Sequence, residues 1–541
     1  SVTRNLGHSH LVLISLSNFL KKIQIMNKIK SILSKCFLLG IFFLGTIACS
    51  DYLNEDNRSA ITQENYFQNA NQAQTAVNGV YSGLNVLLTR VNYGESPFIS
   101  IELPVGHAKT LGQNANNNNM IQQRSASIEG VFFTVWSGFY KAIANANMCI
   151  TNLPTVDMDS AEKSKLLGEV LFLRAFYYYY LVRLYGDIPC ITEVISTNSP
   201  DFYPKRSSVA DIYDKIIVPD LLEAEKTSLP DYDASGRVCK GMVKSLLASV
   251  YLTTAGHPLN RSANYELARD KAFEVISGVP NQYPYTLFDN YAYLHDREHK
   301  IQQELILQVQ VEIGTNDQGT SGIAQLIIPE KCGISKFPDE YGALTVRDEF
   351  VQSYEKGDRR ANLTLGETNT FFFNTYEKDG TPISFSPIGL YKYWLEEAAG
   401  NNGDQKSDEN YTLLRYPEVL LIYAEASNEV SGPSQAAVEQ IKKIRDRAGL
   451  STPDAGTFTK DSFREFIWKE RYHELAFENK AYFDILRTWK AYDLKNNRFV
   501  DAFTFQNESG VTFKKQYLNW PIPSIEINTN PNLNPQNEGW S

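Results

Sequence analysis

The chain has 541 residues, 43% of them hydrophobic and 21% charged, a balance that excludes disordered and fibrous classes for most of its length. Lys and Arg number 52 against 62 Asp and Glu, a net charge of −10, which argues against nucleic acid as a partner because phosphate binding needs basic stripes. Residues 1–48 hold six bases and no acid, so 46 bases face 62 acids in the remainder and the working chain is the more acidic part.

Residues 1–25 lie upstream of a better start and read as a start-site artefact. Met26-Asn27-Lys28-Ile29-Lys30 forms a basic region, an apolar run from Cys36 to Ala48 follows, and Cys49 comes next. Residues 26–48 thus read as a secretory signal, too short and asymmetric for a permanent span. Ala48-Cys49 has the form of a lipobox, with Thr46 where Leu is commonest, and makes Cys49 the expected acylation site. Cys149, Cys190, Cys239 and Cys332 are scattered without a CxxC, a spacing of buried free thiols rather than of zinc ligands or a disulfide frame.

Beyond the signal the pattern is helical. Apolar residues at 73, 76, 77, 80, 81, 84 and 87 follow the 3.6 period and predict a helix over 70–88. Similar stretches cover 131–150, 162–184, 209–227, 240–254, 265–276, 416–430, 435–448 and 461–477. The segment 162–185 is apolar on every side but for Glu169, Arg174 and Arg183, as expected of a helix buried between neighbours, and it takes Tyr177 to Tyr180 into the core. Residues 304–311 and 370–374 read as short strands. Helices 241–254 with 265–276, and 417–430 with 435–448, form pairs, and Ala424 and Ala436 take the small-residue positions of a tetratricopeptide unit. The interval 278–410 is rich in Gly, Asn, Asp and Tyr and reads as an irregular region laid over the scaffold. The fold class is mostly α, a tetratricopeptide-like helix-pair scaffold with a loop-rich region and a few short strands.

A series of motifs in one order resembles the SusD/RagB family of outer-membrane nutrient-binding lipoproteins. It runs from Cys49-Ser-Asp-Tyr-Leu-Asn54 through Leu173-Arg-Ala-Phe-Tyr177, Arg183-Leu-Tyr-Gly-Asp-Ile-Pro189 and Gly236-Arg-Val-Cys-Lys-Gly241. It continues with Leu414-Arg-Tyr-Pro-Glu418, Ile444-Arg-Asp-Arg-Ala-Gly449, Glu470-Arg-Tyr-His-Glu474, Tyr482-Phe-Asp-Ile-Leu-Arg487 and Trp520-Pro-Ile-Pro523, and ends in the Asn-Pro tail. Ala481 and Pro417 are small departures. The acid after Cys49 resembles the surface-export signal of Bacteroidetes lipoproteins. The resemblance implies an N-terminal helical region over 49–300 and a C-terminal region over 301–541. It also implies a lipid-anchored, outward-facing position on the outer membrane and a SusC-like TonB-dependent transporter as partner. The cargo it implies is an oligosaccharide, with peptide cargo as the rival reading and a secreted hydrolase as a remote one.

Physics gives most of these motif residues structural roles. Arg174, Arg183, Arg415, Arg445, Arg471 and Arg487 lie in apolar surroundings and are expected to pair with Glu169, Asp187, Glu418, Glu425, Glu470 and Asp484. His295-Asp-Arg-Glu-His299 matches an inverted zinc-protease motif, but the charged stretch around it reads as a solvated turn. No cofactor is called for, although the Asp- and Asn-rich loops offer the oxygens a structural Ca²⁺ would take. Aromatic residues make up 12% of the chain, and sugar rings stack their C–H faces on such planes while amides satisfy the hydroxyls. The resemblance places ligand contacts in the loops 90–124 and 283–393. The candidate residues there are Tyr93, Phe98, His107 and Asn114 in the first, and Tyr291, Tyr293, Tyr341 and, at the edge, Trp394 in the second.

Overall fold

In a computed structural model covering residues 67–91, 94–111, 115–124, 129–196, 198–199, 202–312, 322–334, 341–364, 370–394 and 409–540, the first apolar period becomes α1 (Ala70–Tyr81). Cys49, the signal and residues 1–25 lie outside the described residues. Asn69 starts α1 by accepting the Gln72 N–H on its side chain, and a 3-10 turn, Ser82–Leu88, extends it. After α2 (Pro97–Glu102) come α3 (Glu129–Asn152) and α4 (Ser160–Tyr185). Gly83 lets α1 close on α3, since a Cβ there would come within 2.5 Å of the Ala142 methyl.

Asp159 caps α4 by accepting from Ala161 and Glu162, and the helix is buried on every side from Gly168 to Val182, Tyr177 to Tyr180 included. It stops at Gly186, whose φ of 72° a side chain rarely adopts. The predicted helix 209–227 is interrupted: a π turn at Tyr213–Ile217 precedes α5 (Val218–Lys226). The wider i→i+5 turn accommodates Pro219, which has no N–H to donate.

The two expected pairs form as α6 (Lys240–Ala255) with α7 (Asn264–Ser277), and α8 (Tyr416–Ser431) with α9 (Gln435–Arg447). α7 packs on α8, and α8 on α10 (Lys460–Glu474), so the pairs stack into one scaffold. One position differs. Ala424 is buried as expected, but Ser434 caps α9 so that Ala437 and Val438 face inward and Ala436 faces solvent. α11 (Ala481–Thr488) closes the series.

Short strands lie among these helices. β1 (Ala108–Lys109), β3 (Thr345–Val346), β5 (Thr381–Leu390) and β4 (Phe372–Lys378) form an antiparallel sheet in that order. Phe372 pairs with Leu390 and Lys378 with Thr381. β2 (Leu305–Val309) pairs with β6 (Tyr411–Arg415), and β7 (Lys490–Asp493) with β8 (Arg498–Asp501). Only β2 and the start of β4 were legible in the sequence. The packing of α7 on α8 joins the two sides of position 300, and Phe67–Ser541 make one compact unit.

A charge network sits inside that unit. Glu474, at the end of α10, accepts from Arg415 Nη1 at 2.6 Å, Arg447 Nη2 at 2.7 Å, Arg360 Nη1 at 2.9 Å and the Tyr291 hydroxyl at 2.8 Å. Arg415 also donates to Glu304 (2.7 Å) and Glu478 (2.8 Å), and Arg360 to Glu470 and Asp358 (both 2.7 Å). Lys392 ends on Glu478, with burial pushing its pKa down to about 8 against the pull of that carboxylate. Burial alone would raise Glu474, but Arg447, Arg415 and Arg360 outweigh it and hold the carboxyl far below its usual range.

The expected pairs Arg445–Glu470, Arg471–Glu418, Arg471–Asp484, Arg487–Glu425 and Arg487–Asp484 are present. Arg415 takes Glu304, Glu474 and Glu478, none of them among the expected carboxylates, and three further partners differ from expectation. Arg174 holds Asp220 across to α5 (2.7 Å), Glu169 receives Arg237 instead, and Asp187 accepts from the Val209 N–H. Arg183 has no carboxylate partner among the described residues. The four cysteines are free; Cys149, Cys239 and Cys332 are buried and Cys190 is half-buried, with burial pushing the Cys149 thiol up to about 12. Among the described residues no helix is long and apolar enough to cross a membrane.

Two predictions follow from the network. Replacing Glu474 with Ala strands three guanidinium groups, so the urea midpoint should fall by an amount equivalent to about 3–5 kcal/mol; an unchanged midpoint would show that the network contributes no stability. Glu478 titrates at about 2 in the folded chain against an ordinary 4.5, since Arg415 and Lys392 outweigh its burial. The folded state therefore binds fewer protons than the unfolded one between those values. The contribution of Glu478 to stability is complete above about pH 4.5 and is lost as pH falls toward 2. Urea midpoints at pH 7 and pH 3 should differ accordingly, and equal midpoints would overturn the assignment.

Candidate ligand-binding groove

One face of α1 turns its amides outward. Asn78, Ser82 and Asn85 sit at i, i+4 and i+7, away from the buried Ala73, Val77 and Val80. Opposite them are Gly236 and Arg237 from the turn before α6, and Leu307 to Gln310 at the end of β2. Together they enclose an open groove of 330 Å³.

Arg237 anchors one wall. Its Nη1 donates to Asn78 Oδ1 at 2.9 Å, its Nε to Glu169 at 3.1 Å, and its guanidinium lies 4.6 Å from the centre of the Tyr81 ring. The Tyr81 hydroxyl donates to Glu169 (3.1 Å) and accepts from the Val238 N–H (3.0 Å). The cation is thus matched by a buried anion beneath it, and the groove presents no surplus charge. Gln310 donates its Nε2 to the Ser235 carbonyl (3.0 Å), which aims its carbonyl oxygen elsewhere. The Asn85 amide is half-buried and makes no side-chain hydrogen bond to the described residues. Such a surface offers donors and acceptors in equal measure, the pairing that hydroxyl groups require.

The segment 291–301 approaches the groove at Ile301. Tyr232 donates to the Ile301 carbonyl (3.1 Å), Lys300 Nζ donates to the Val311 carbonyl (3.2 Å), and Ile301 lies against Gly236. From this segment Tyr293 emerges, 37% exposed and stacked on His299 with ring centres 4.0 Å apart and planes 13° off parallel. His299 is fixed by Asp296, which its Nδ1 meets at 2.7 Å. The groove amides can hydrogen-bond a ligand, and a braced aromatic plane such as Tyr293 can stack on one.

The remaining sequence candidates occupy other places. Tyr93 and Asn114 lie outside the described residues. Phe98 is fully buried, edge-on to Tyr393 and Tyr411 at 5.4 and 5.5 Å. His107 is also fully buried, between Glu102 (2.9 Å) and the Tyr472 hydroxyl (3.1 Å). Tyr291 lies under Arg447 and donates to Glu474. These three rings are core, because each satisfies a buried polar network or an aromatic cluster rather than solvent. Tyr341 is buried beside Arg90, whose Nη1 reaches its hydroxyl at 3.4 Å. Trp394 packs into a separate cluster with Ile328, Ile334, Phe373 and Tyr376 beneath the β4–β5 hairpin. Only Tyr293 among the described candidates presents its ring outward. Asn78, Asn85, Arg237 and Gln310 were missed, and the signal for the first two was their seven-residue spacing off the apolar stripe of α1.

The His295–His299 motif divides. His295 is buried with its Nδ1 on Glu409 (2.9 Å) and its pKa driven down by burial, then by Lys392, so it is neutral. His299 turns outward to Asp296 and Tyr293. The two imidazoles address different carboxylates, and no group of three His, Cys, Asp or Glu side chains is set to hold a metal among the described residues.

Comparison with known proteins agrees with this architecture. Residues 51–252 match a family described as starch-binding and associating with the outer membrane. SusD-like protein P2 of Formosa agariphila is 27% identical over 522 residues, 92% of this chain and 98% of its own. The crystal structure of a SusD superfamily protein from Parabacteroides distasonis superposes with a TM-score of 0.79 at 33% identity, covering 87% of this chain and 99% of that one. Surface glycan-binding protein A from Bacteroides thetaiotaomicron, solved with laminarihexaose, shares the fold at 19% identity and a TM-score of 0.68, covering 87% and 100%. Residues 227–540 match the SusD family itself, and the chain belongs to that family.

Proposed function

We infer that this protein captures a neutral oligosaccharide at the cell surface and delivers it to a SusC-like TonB-dependent transporter in the outer membrane, to which lipid on Cys49 tethers it. The observation that carries the reading is the uncharged, amide-lined groove of Asn78, Asn85 and Gln310; the exposed Tyr293 ring, stacked on His299 outside the groove's lining, is the aromatic plane tested with it. Amides satisfy sugar hydroxyls in either sense, and an exposed tyrosine plane takes the C–H face of a pyranose. Two relatives support a glycan: the Bacteroides thetaiotaomicron protein bound to laminarihexaose, and the family over residues 51–252 described as starch-binding. Capture is non-covalent. The transporter would dock on the paired helices, where Leu267 and Phe273 of α7 and Val430 of α8 are exposed apolar residues beside Tyr423.

The test is calorimetry of the chain from Ser50 onward against laminari- and malto-oligosaccharides and peptide digests. One sugar class should bind. Asn85→Ala and Tyr293→Ala should each weaken it about tenfold, as expected for one lost hydrogen bond or stacking plane. Binding of peptides in place of sugars would transfer the cargo to the rival reading. Sugar binding indifferent to both variants would move the site away from this groove.

A further inference from the structure

Every arginine buried in the described structure has a carboxylate partner, from Arg174 with Asp220 to Arg487 with Glu425. Arg183 is half-buried at the end of α4 and has none. Its guanidinium is held between two rings, 3.6 Å from the centre of Tyr179 and 3.7 Å from that of Phe483. Its Nε donates to the Tyr179 carbonyl at 2.9 Å, and the Tyr180 ring lies 4.8 Å away. The stacking fixes the plane of the cation without neutralising its charge.

This cation lines a pocket of 120 Å³ that shares no residue with the amide groove. The other walls are mostly apolar: Val209, Leu259, Leu486 and Leu518 are half-exposed around it. His257 and Trp489 add a flat side, stacked 3.6 Å apart and within 2° of parallel. No aspartate or glutamate lines the pocket. Its second guanidinium, Arg487, is already matched by Glu425 and Asp484. The pocket therefore combines one oriented cation with an apolar enclosure near the size of a cavity that accepts benzene, about 150 Å³. That cation is in salt-bridge contact with no carboxylate of the described residues, although Glu418 and Asp484 line the next cavity with it.

We propose that this pocket is a second ligand site, one that takes a small organic monocarboxylate with an aryl or short alkyl body. The carboxylate meets the Arg183 guanidinium as a charge-assisted pair, and the apolar body lies against Leu259, Leu486 and Leu518. Inorganic phosphate or sulfate would leave those leucines unused. A neutral sugar would leave the cation unused.

The probe is 3-phenylpropionate, compared with its uncharged analogue 3-phenylpropanamide by calorimetry on the full chain. The acid should bind at least about tenfold more tightly than the amide, the difference a charge-assisted hydrogen bond makes. Arg183→Gln should bring the two to near equality. Because Arg183 also props two rings, a second variant keeps the cation and fills the space. Leu259→Trp, from its half-exposed position, should abolish binding of both compounds with the melting temperature unchanged. Equal or absent binding of the two compounds by the native chain would overturn the site, as would an acid preference that survives either substitution.

Discussion

The rest of the structure depends on how Glu474 is satisfied. A carboxylate with no exposure to water would ordinarily be protonated or expelled; here it remains ionised because Arg360, Arg415 and Arg447 converge on it. Those arginines come from three separate stretches, and their remaining donors reach Glu304, Glu470 and Glu478. The loop-rich middle of the chain, the β2–β6 pair and the end of α10 are therefore pinned to one point. Apolar packing could hold the helix pairs together without this device. It would not fix where the irregular middle region sits, and that region carries the turn from which Tyr293 projects.

Two arginines outside this network show how charge is used nearer the surface. Arg237 is neutralised from below by Glu169, so the groove above it is polar without being charged. Arg183 is braced by two rings and the Tyr179 carbonyl, so its charge remains available to whatever enters the pocket. The same side chain thus serves as scaffold in one place and as a recognition element in the other. The difference lies in whether a carboxylate is within reach.

The helices were legible because their apolar residues recur with the helical period over a dozen positions or more, and the end points of α4, α6 and α8 fell within a few residues. Most of the arginines were legible as buried and paired, with the partners of Arg445, Arg471 and Arg487 among the expected carboxylates, but the partners of Arg174 and Arg415 were not legible. Arg174 binds Asp220 rather than a residue on its own helix, and such a choice is made in three dimensions. β5 was missed because only the last four residues of Thr381–Leu390 are buried; the alternation of its outer half covers just Ile383 and Phe385, between exposed Pro382, Ser384 and Ser386. The site was the least legible part. Aromatic residues in loops suggest platforms, yet Phe98, His107 and Tyr291 had structural partners waiting far along the chain, in Tyr411, Tyr472 and Glu474. The groove is composed of Asn78, Arg237 and Gln310, whose meeting no local pattern announces.

The charge cluster also sets an order of events. A ribosome releases the chain from its N-terminus, and α1, α3, α4 and the α6–α7 pair each have near neighbours to pack against as they emerge. Glu304 must wait for Arg447, 143 positions later, and Arg360 waits for Glu474, 114 positions later. Until that final segment arrives, Asp358 and Arg415 neutralise the buried-type charges of the middle region only in part, and water keeps it open. Closure of the molecule is thus tied to completion of its synthesis, which leaves a loose thread for any machinery that has to move it before it locks.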